Sequence, residues 1–569
     1  MTCKKKWYVC PLGCDEMLPS CDIIFEQVKK KVRNATSVSF GYLPYGMRQK
    51  HQNQKLMKKI TLLLLSCISA GYSQNFQWLQ TPEINFNLNP DGISYPLATD
   101  GSGNVYMAGY KENPVPYNDV MGTVFYNKYG ENGNLIYTKT LSGEVTVYEM
   151  ATDNAGNLLM AAGYTNSINF DNISILTINQ GVQFLMIKFD PDGNLVWYKP
   201  IEIQDSFVND FRTIITDSQN NIYIAYDDYQ HSYISKMNAA GEEQMLITQQ
   251  YAKMVSSISI DDQGNIYAAG ACAESIATYG GVSAPTTFGY NTFAVKYSPT
   301  GAFQWIKYVE DVTCPFPQIK ARTPDEVYFS SYLFGSYAFG PITSEGPIDG
   351  GFSDFFLAKL NHEGEYQWVR EVDGGGKVIT GKKNFLELDS EGNIYFAGAT
   401  QGTVNWGNGI TTTADSFMDD AVLVKYNTNG TVLMAVTAGG SSYDRTDSVR
   451  VAADGSVFLS GMANGNANFG DLSHNAGEFQ NYPYLTRITN APLNVPQNSD
   501  IEFSIYPNPA SSVLHFSTST ILNGSIFNMV GQRMNDFTVQ PGQSIDISAL
   551  AQGSYILKAH GKVLKFVKN

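Results

Sequence analysis

The sequence predicts an all-β chain, with a seven-bladed β-propeller over residues 74–490 and a small β-domain over residues 500–569. Three observations predict it. Tyr (35), Phe (31) and Gly (51) are abundant while charged residues make up only 16%, a balance that suits strands and tight turns better than long helices. A turn-and-strand phrase recurs seven times between residues 100 and 461. The first repeat opens with a strand that the last repeat lacks, which has no use in a linear array but is what a closed ring needs.

Residues 1–56 match nothing downstream and read as a mis-assigned N-terminal extension. Met57-Lys58-Lys59, the apolar run from Ile60 to Ala70 and the small residues before Gln74 have the form of a start and a signal peptide over 57–73. Cleavage is expected between Ser73 and Gln74, and the apolar run is too short to span a bilayer. Leu64-Leu65-Ser66-Cys67 also has the form of a lipoprotein box, although it would leave an apolar stretch of six residues. Cys3, Cys10, Cys14 and Cys21 fit no zinc spacing. Residues 1–73 hold 12 of the 38 Lys and Arg and 4 of the 53 Asp and Glu, so the remainder carries a net charge of −23. Such a surface repels nucleic acid and anionic headgroups, and a soluble monomer with no nucleic-acid partner is expected. Beyond residue 73 only Cys272 and Cys314 remain, an even pair in an oxidising compartment and a disulfide candidate.

The repeat contains two hairpins. One reads DGSGNVYMAG at 100–109, DDQGNIYAAG at 261–270 and DSEGNIYFAG at 389–398, with degenerate copies at 153, 217, 323 and 453. Asp at the turn start, Gly or Asn at its end and alternating apolar residues form a hairpin signature. The other places a Gly five residues after a Lys: Lys128/Gly133, Lys188/Gly193, Lys236/Gly241, Lys296/Gly301, Lys359/Gly364 and Lys425/Gly430. A seventh copy, Leu485-Thr486-Arg487-Ile488, lacks the outgoing strand, and Phe76-Gln77-Trp78 matches Phe303-Gln304-Trp305 and Tyr366-Gln367-Trp368. Phe76 to Leu79 should therefore pair antiparallel with Tyr484 to Ile488. Each unit averages about 60 residues, above the ~40–50 of common propeller repeats. The excess lies in long connections such as 271–291, 332–354, 399–418 and 462–482. Strand alternation puts both tight turns on one face and these connections on the other.

Phrases such as GGSSYDRTDSVRVAADGSVFLSG (439–461) and SDFFLAKLNHEGEYQWVREVDGGG (353–376) resemble the bacterial SBBP β-propeller repeat family. The resemblance implies a seven-bladed ring and no shared catalytic residue. After a Pro- and Asn-bearing linker over 491–499, residues 500–569 change character. Tyr506-Pro507-Asn508-Pro509, the turn at Gly531, the phrase Leu550…Gly553-Ser554-Tyr555-Ile556-Leu557-Lys558 and a basic last strand resemble the type A sorting domain of type IX secretion substrates. That resemblance implies a small Ig-like β-sandwich, the outer-membrane translocon as partner, and a secreted or cell-surface location reached through the periplasm. The tail carries net charge +1 against −24 for residues 74–499, as suits a separate address label.

Chemistry is sparse. His231, His362 and His474 fall at different repeat phases, and no G-x-S-x-G, H-E-x-x-H or P-loop occurs. No catalytic residue, metal ligand or cofactor is assigned. A calcium reading of Asp190-Pro191-Asp192-Gly193-Asn194 or Asp261-Asp262-Gln263-Gly264-Asn265 yields to turn chemistry, because each loop enters a strand before it supplies enough ligands. Binding is expected on the connection face. The aromatic-small pairs of the long connections, Tyr279-Gly280, Phe339-Gly340, Trp406-Gly407 and Phe469-Gly470, read first as packing between neighbouring units and second as a sugar-stacking ring. Candidates for any binding there are Trp406 and Phe469, and Asp227, Asp228 and Tyr229 in the short connection of the third unit. The expected role is binding of an extracellular glycan or protein; the alternative is a glycosidase or lyase using carboxylates on that face.

Overall fold

Alternating apolar residues behind Asp- and Gly-bearing turns produce antiparallel strands, and among the described residues no helix forms. The computed structural model describes residues 75–569 apart from 85–93, 113–121, 179–180, 205, 313–315, 334, 347–353, 416, 479, 490–502, 519–520, 529–532 and 560–561. The extension at 1–56, the signal at 57–73 with its cleavage point Ser73–Gln74, the linker at 491–499, Gly531 and Cys314 lie outside the described residues. Cys272 sits half-buried in the strand Ile266–Tyr279.

Each Asp-led turn is built from its own side chains. Asp261 Oδ1 accepts the backbone N–H of Gln263 and Asn265, both at 2.9 Å, and its Oδ2 accepts Asn265 Nδ2 at 2.8 Å. Asp100, Asp153, Asp190, Asp217 and Asp389 repeat the pattern. These oxygens shape the backbone, as Asp and Asn do in such turns.

In the fourth unit the end of Glu243–Ile260 pairs with Ile266–Tyr279, that strand with Asn291–Tyr297, and that with Phe303–Glu310. The fifth unit repeats this order with Gln318–Thr323, Glu326–Leu333, Asp354–Leu360 and Tyr366–Arg370. Two strands serve adjacent units. Leu135–Thr152 closes the first unit and opens the second, and Glu243–Ile260 does the same for the third and fourth. The former bends at Gly143, where φ is 124° and a Cβ would stand 2.2 Å from Ser167 O, so only glycine fits.

The lysine of the second hairpin explains both phrases at once. Lys128 lies over the Tyr106 ring of its own unit, 5.0 Å from the centroid, pairs with Asp100 at 3.5 Å and donates to Pro191 O of the next unit at 2.9 Å. Lys296, Lys359 and Lys425 stand likewise over Tyr267, Tyr328 and Tyr395. The second unit has Leu159 and the seventh Phe458 where the other five have Tyr, and Lys188 uses Trp197 instead. The Trp of the outer strand reaches the same turn: Trp305 Nε1 donates to His362 O at 3.0 Å, as does Lys296 at 3.4 Å. That indole also dictates the glycine, since a Cβ on Gly364 (φ 76°) would sit 2.8 Å from Trp305 Cδ2. Lysine, tyrosine, tryptophan and glycine thus form one staple between neighbouring units wherever the repeat carries all four, with Tyr137, Met245 and Met434 standing for Trp elsewhere, and both tight turns share one face.

The termini meet as the repeat requires. Asn75–Gln80 pairs antiparallel with Asn481–Thr489 in the register Phe76↔Ile488, Leu79↔Thr486 and Gln80↔Leu485. Trp78 Nε1 and Arg487 Nη1 both donate to Glu131 O of the first unit at 2.9 Å, which is the Trp305–Lys296 staple with its two halves drawn from opposite ends of the repeat region. Along the inner strands Ser460 Oγ bonds Tyr95 O at 2.5 Å, Thr216 Oγ1 bonds Thr152 O at 2.7 Å and Val449 N bonds Asn384 O at 2.8 Å.

The long connections depart from expectation. They are β-hairpins, Tyr337–Phe339 with Ile342–Ser344, Thr403–Gly407 with Ile410–Thr413, and Asn466–Phe469 with Leu472–Asn475. They wedge between the outer strands of adjacent units. Tyr337 OH bonds Tyr308 O of the preceding unit, and Gly439 and Gly440 pair with Asn468 and Ala467. Trp406 and Phe469 are accordingly core residues, 4% and 1% exposed. Trp406 stands near Phe355 and donates to Thr412, while Phe469 packs on Phe76 and Tyr484. Packing between units, the first reading of these aromatics, holds, and their nomination as binding residues is corrected. A wedge between twisted sheets is where a large ring removes most apolar surface from water.

The tail has two sheets, Ser504–Tyr506, Val513–Ser517 and Ser544–Asp546 in one and Arg533–Val539, Leu522–Asn528, Gly553–Ala559 and Lys562–Lys568 in the other. They share a core that includes Leu514, Phe516, Ile526, Tyr555, Leu557 and Phe566.

Candidate functional site: a polar cavity at the hub

The innermost strands bring scattered charges to a common axis. Glu149, from the second unit, is 2% exposed and accepts Asn384 Nδ2 at 2.5 Å and Met150 N at 2.9 Å. Arg450, from the seventh unit, bridges Glu149 and Glu387 at 3.3 Å each, and Lys320 of the fifth unit reaches Glu387 at 3.2 Å. Burial raises the Glu149 carboxyl above its ordinary range, against the opposing pull of Arg450, and burial lowers Lys320.

This network stands between two hollows. Lys320 and Glu387 line a wide opening on the tight-turn face, together with the turn residues Asp217, Asp261 and Asp389. On the connection face lies a cavity of about 290 Å3, with Glu149 in its wall. Five further units contribute: Ser94 and Tyr110, Asp210 and Arg212, Ser256, Phe316 and Gln318, and Lys382 and Lys383. Arg212 is held by Asp227 at 2.6 Å and Asp210 at 3.0 Å, which raise its pKa despite burial. The Lys383 ammonium lies over the Tyr148 ring, 5.6 Å from its centroid, and burial lowers its pKa. Asp210 Oδ1 and Gln318 Oε1 are buried with no hydrogen-bond partner among the described residues.

The short connection of the third unit is a tight turn between Ile222–Asp227 and His231–Met237. Asp227 is 1% exposed and serves as the anchor of Arg212, with Asn209 Nδ2 donating to it at 2.8 Å. Asp228 accepts Gln230 N, His231 N and Tyr233 OH, which hold its carboxyl below the ordinary range against the effect of burial. Tyr229 is exposed and packs edge-on against Phe207. The structure therefore ties Asp227 to the cavity wall through Arg212 and brings neither Trp406 nor Phe469 there. Glu149, Asp210, Lys383 and Gln318 escaped sequence reading because each stands alone, in a different unit and outside both repeated phrases.

In the tail, Asn508 clamps the Tyr-Pro-Asn-Pro segment to the last strand. Its Nδ2 donates to Lys565 O at 3.0 Å and its Oδ1 accepts Val567 N at 2.9 Å. Tyr506 is exposed and stacks on His515; the Tyr506–Pro507 and Asn508–Pro509 bonds are cis. Tyr555 and Leu557 point into the core and stacking joins Tyr555 to Phe566, while Lys558 faces solvent. Leu550 packs at the edge of the same core. Gly553 opens the strand carrying this phrase.

The chain has no match among curated proteins. Solved structures similar to it include a protein of unknown function from Bacteroides caccae, 13% identical over 55% of this chain and 89% of that one, with a TM-score of 0.29. Others are the dihydro-heme d1 dehydrogenase NirN in complex with DHE (11% identical, 73% and 80% covered, TM-score 0.33) and the Neurospora crassa Pan2 WD40 domain (10%, 60% and 88%, TM-score 0.30). At these TM-scores the likenesses carry no argument. The tail is different: residues 504–569 match the family model of the secretion system C-terminal sorting domain, so the chain bears the address of a type IX secretion substrate bound for the cell surface or the extracellular space.

Proposed function

We propose that residues 75–489 form a seven-bladed propeller of SBBP-type repeats, exported as the cargo of an Ig-like sorting tail, which binds a small polar ligand in the connection-face cavity without transforming it. The signal peptide read over 57–73 supplies the first export step, and a Cys272–Cys314 bridge forms in the oxidising compartment. One observation carries the binding reading. The cavity draws its wall from six units and gathers charged side chains there, Glu149, Asp210, Arg212 and Lys383 among them, and convergent polar groups in a concave site are what fixes a small ligand.

The second reading, a glycan-active enzyme, draws on the two carboxylates Glu149 and Asp210 in one cavity. Against it, each is already held, Glu149 by Arg450 and Asn384 and Asp210 by Arg212. A general acid and its partner must instead be free to meet the substrate. Calorimetric screening of soluble glycans with the secreted protein, and with Ser94→Trp to fill the cavity, separates the possibilities. Binding lost in Ser94→Trp with the ligand recovered intact is expected. Binding unchanged in a folded Ser94→Trp overturns the site, and glycan cleavage overturns the non-catalytic role.

A further inference from the structure

The chemistry of the ligand follows from what the cavity wall leaves unmet, taking the cavity as the binding site. Two of its charges are answered within the protein: Arg212 by Asp210 and Asp227, and Glu149 by Arg450. Lys383 is not. Among the described residues its ammonium makes no ion pair and rests only on the Tyr148 ring. The wall holds three cations, Arg212, Lys382 and Lys383, against two carboxylates, Glu149 and Asp210. It is a cationic spot in a chain of net charge −15, and a poorly solvated ammonium favours an anion beside it.

The rest of the wall is polar and largely neutral. Ser94, Ser256 and Gln318 line it, and hydroxyl and amide groups of this kind exchange hydrogen bonds with a ligand's hydroxyls. Tyr110, Tyr148 and Phe316 add aromatic surface. A volume of about 290 Å3 lies at the small end of ligand cavities.

We propose that the cavity binds a sugar acid of about one residue, its carboxylate on Lys383 and its hydroxyls among the polar wall residues Ser94, Ser256 and Gln318. Calorimetry on the secreted full chain with glucuronate, galacturonate, glucose, galactose, acetate and glycine tests this. The uronates should bind at least tenfold more tightly than the neutral sugars, acetate or glycine. Lys383→Met should erase that preference and Lys383→Arg should retain it, with thermal melts confirming that both fold. Tighter binding of a neutral sugar or glycine, abolished by Ser94→Trp, overturns the sugar-acid assignment and leaves the cavity standing. Uronate binding that persists in Ser94→Trp, or no binding by any probe, overturns the assignment as well; the cavity itself falls when a ligand from the glycan screen binds Ser94→Trp as well as wild type.

Discussion

Asp420 shows how strongly one side chain can feel the ring around it. It is buried, its Oδ1 has no hydrogen-bond partner among the described residues, and a Cβ on Gly439 would stand 2.4 Å from that oxygen. Burial first, then Asp415 and Asp419, raise its pKa from 3.8 to about 6. Between those values the folded state binds more protons than the unfolded one, so stability falls as pH rises from about 4 to about 6 and stays reduced above. Asp420→Asn removes the titration. It should raise stability at pH 8 relative to pH 5 by on the order of 1–2 kcal/mol, read from denaturant unfolding at both values; an equal change at both overturns the account. Asp444, raised to about 7 by burial in the neighbouring unit, acts in the same direction. Neither could be singled out in the sequence, where Asp is the commonest turn-former and carries no mark of burial.

Among the strands, Asn75–Gln80 matters out of proportion to its length. It covers the edge of Asn481–Thr489, buries Trp78 and supplies half of the staple to the first unit. A chain beginning at Thr81 loses that apolar burial and its ladder bonds, on the order of 3 kcal/mol or more, and bares a strand edge ready to pair with another chain. Lower thermal stability and oligomers on size-exclusion chromatography are expected; an unchanged monomer with an unchanged melt would refute closure by this strand. The pairing was legible because Phe76-Gln77-Trp78 repeats Phe303-Gln304-Trp305. The hairpins around Trp406 and Phe469 were not. Their repeated aromatics favoured packing between units over stacking on a ligand, and the wedge between units decides for packing.

Charge and address divide the chain between cargo and tail. Residues 74–499 carry −24 and the tail +1, and the tail has its own core. Removing residues 503–569 should leave the repeat region folded but retained in the periplasm, seen by fractionation and surface labelling. Equal surface display with and without the tail would contradict the sorting role.

The sorting tail was legible through the resemblance of Tyr506-Pro507-Asn508-Pro509 and the Leu550 to Lys558 phrase to a known family. The repeated phrases, taken alone, were enough to establish an all-β chain, the tight-turn pattern and the meeting of the two ends of the repeat region. Each rests on local rules of turn chemistry and strand alternation, and repetition multiplies a weak signal. The hub was decided by the fold. Glu149, Asp210, Lys383, Gln318 and Arg450 are spread over some 300 residues and come together because every inner strand turns toward one axis. A unique residue in each of several repeats has no local signature, so its chemistry exists only once the ring has brought it to its partners.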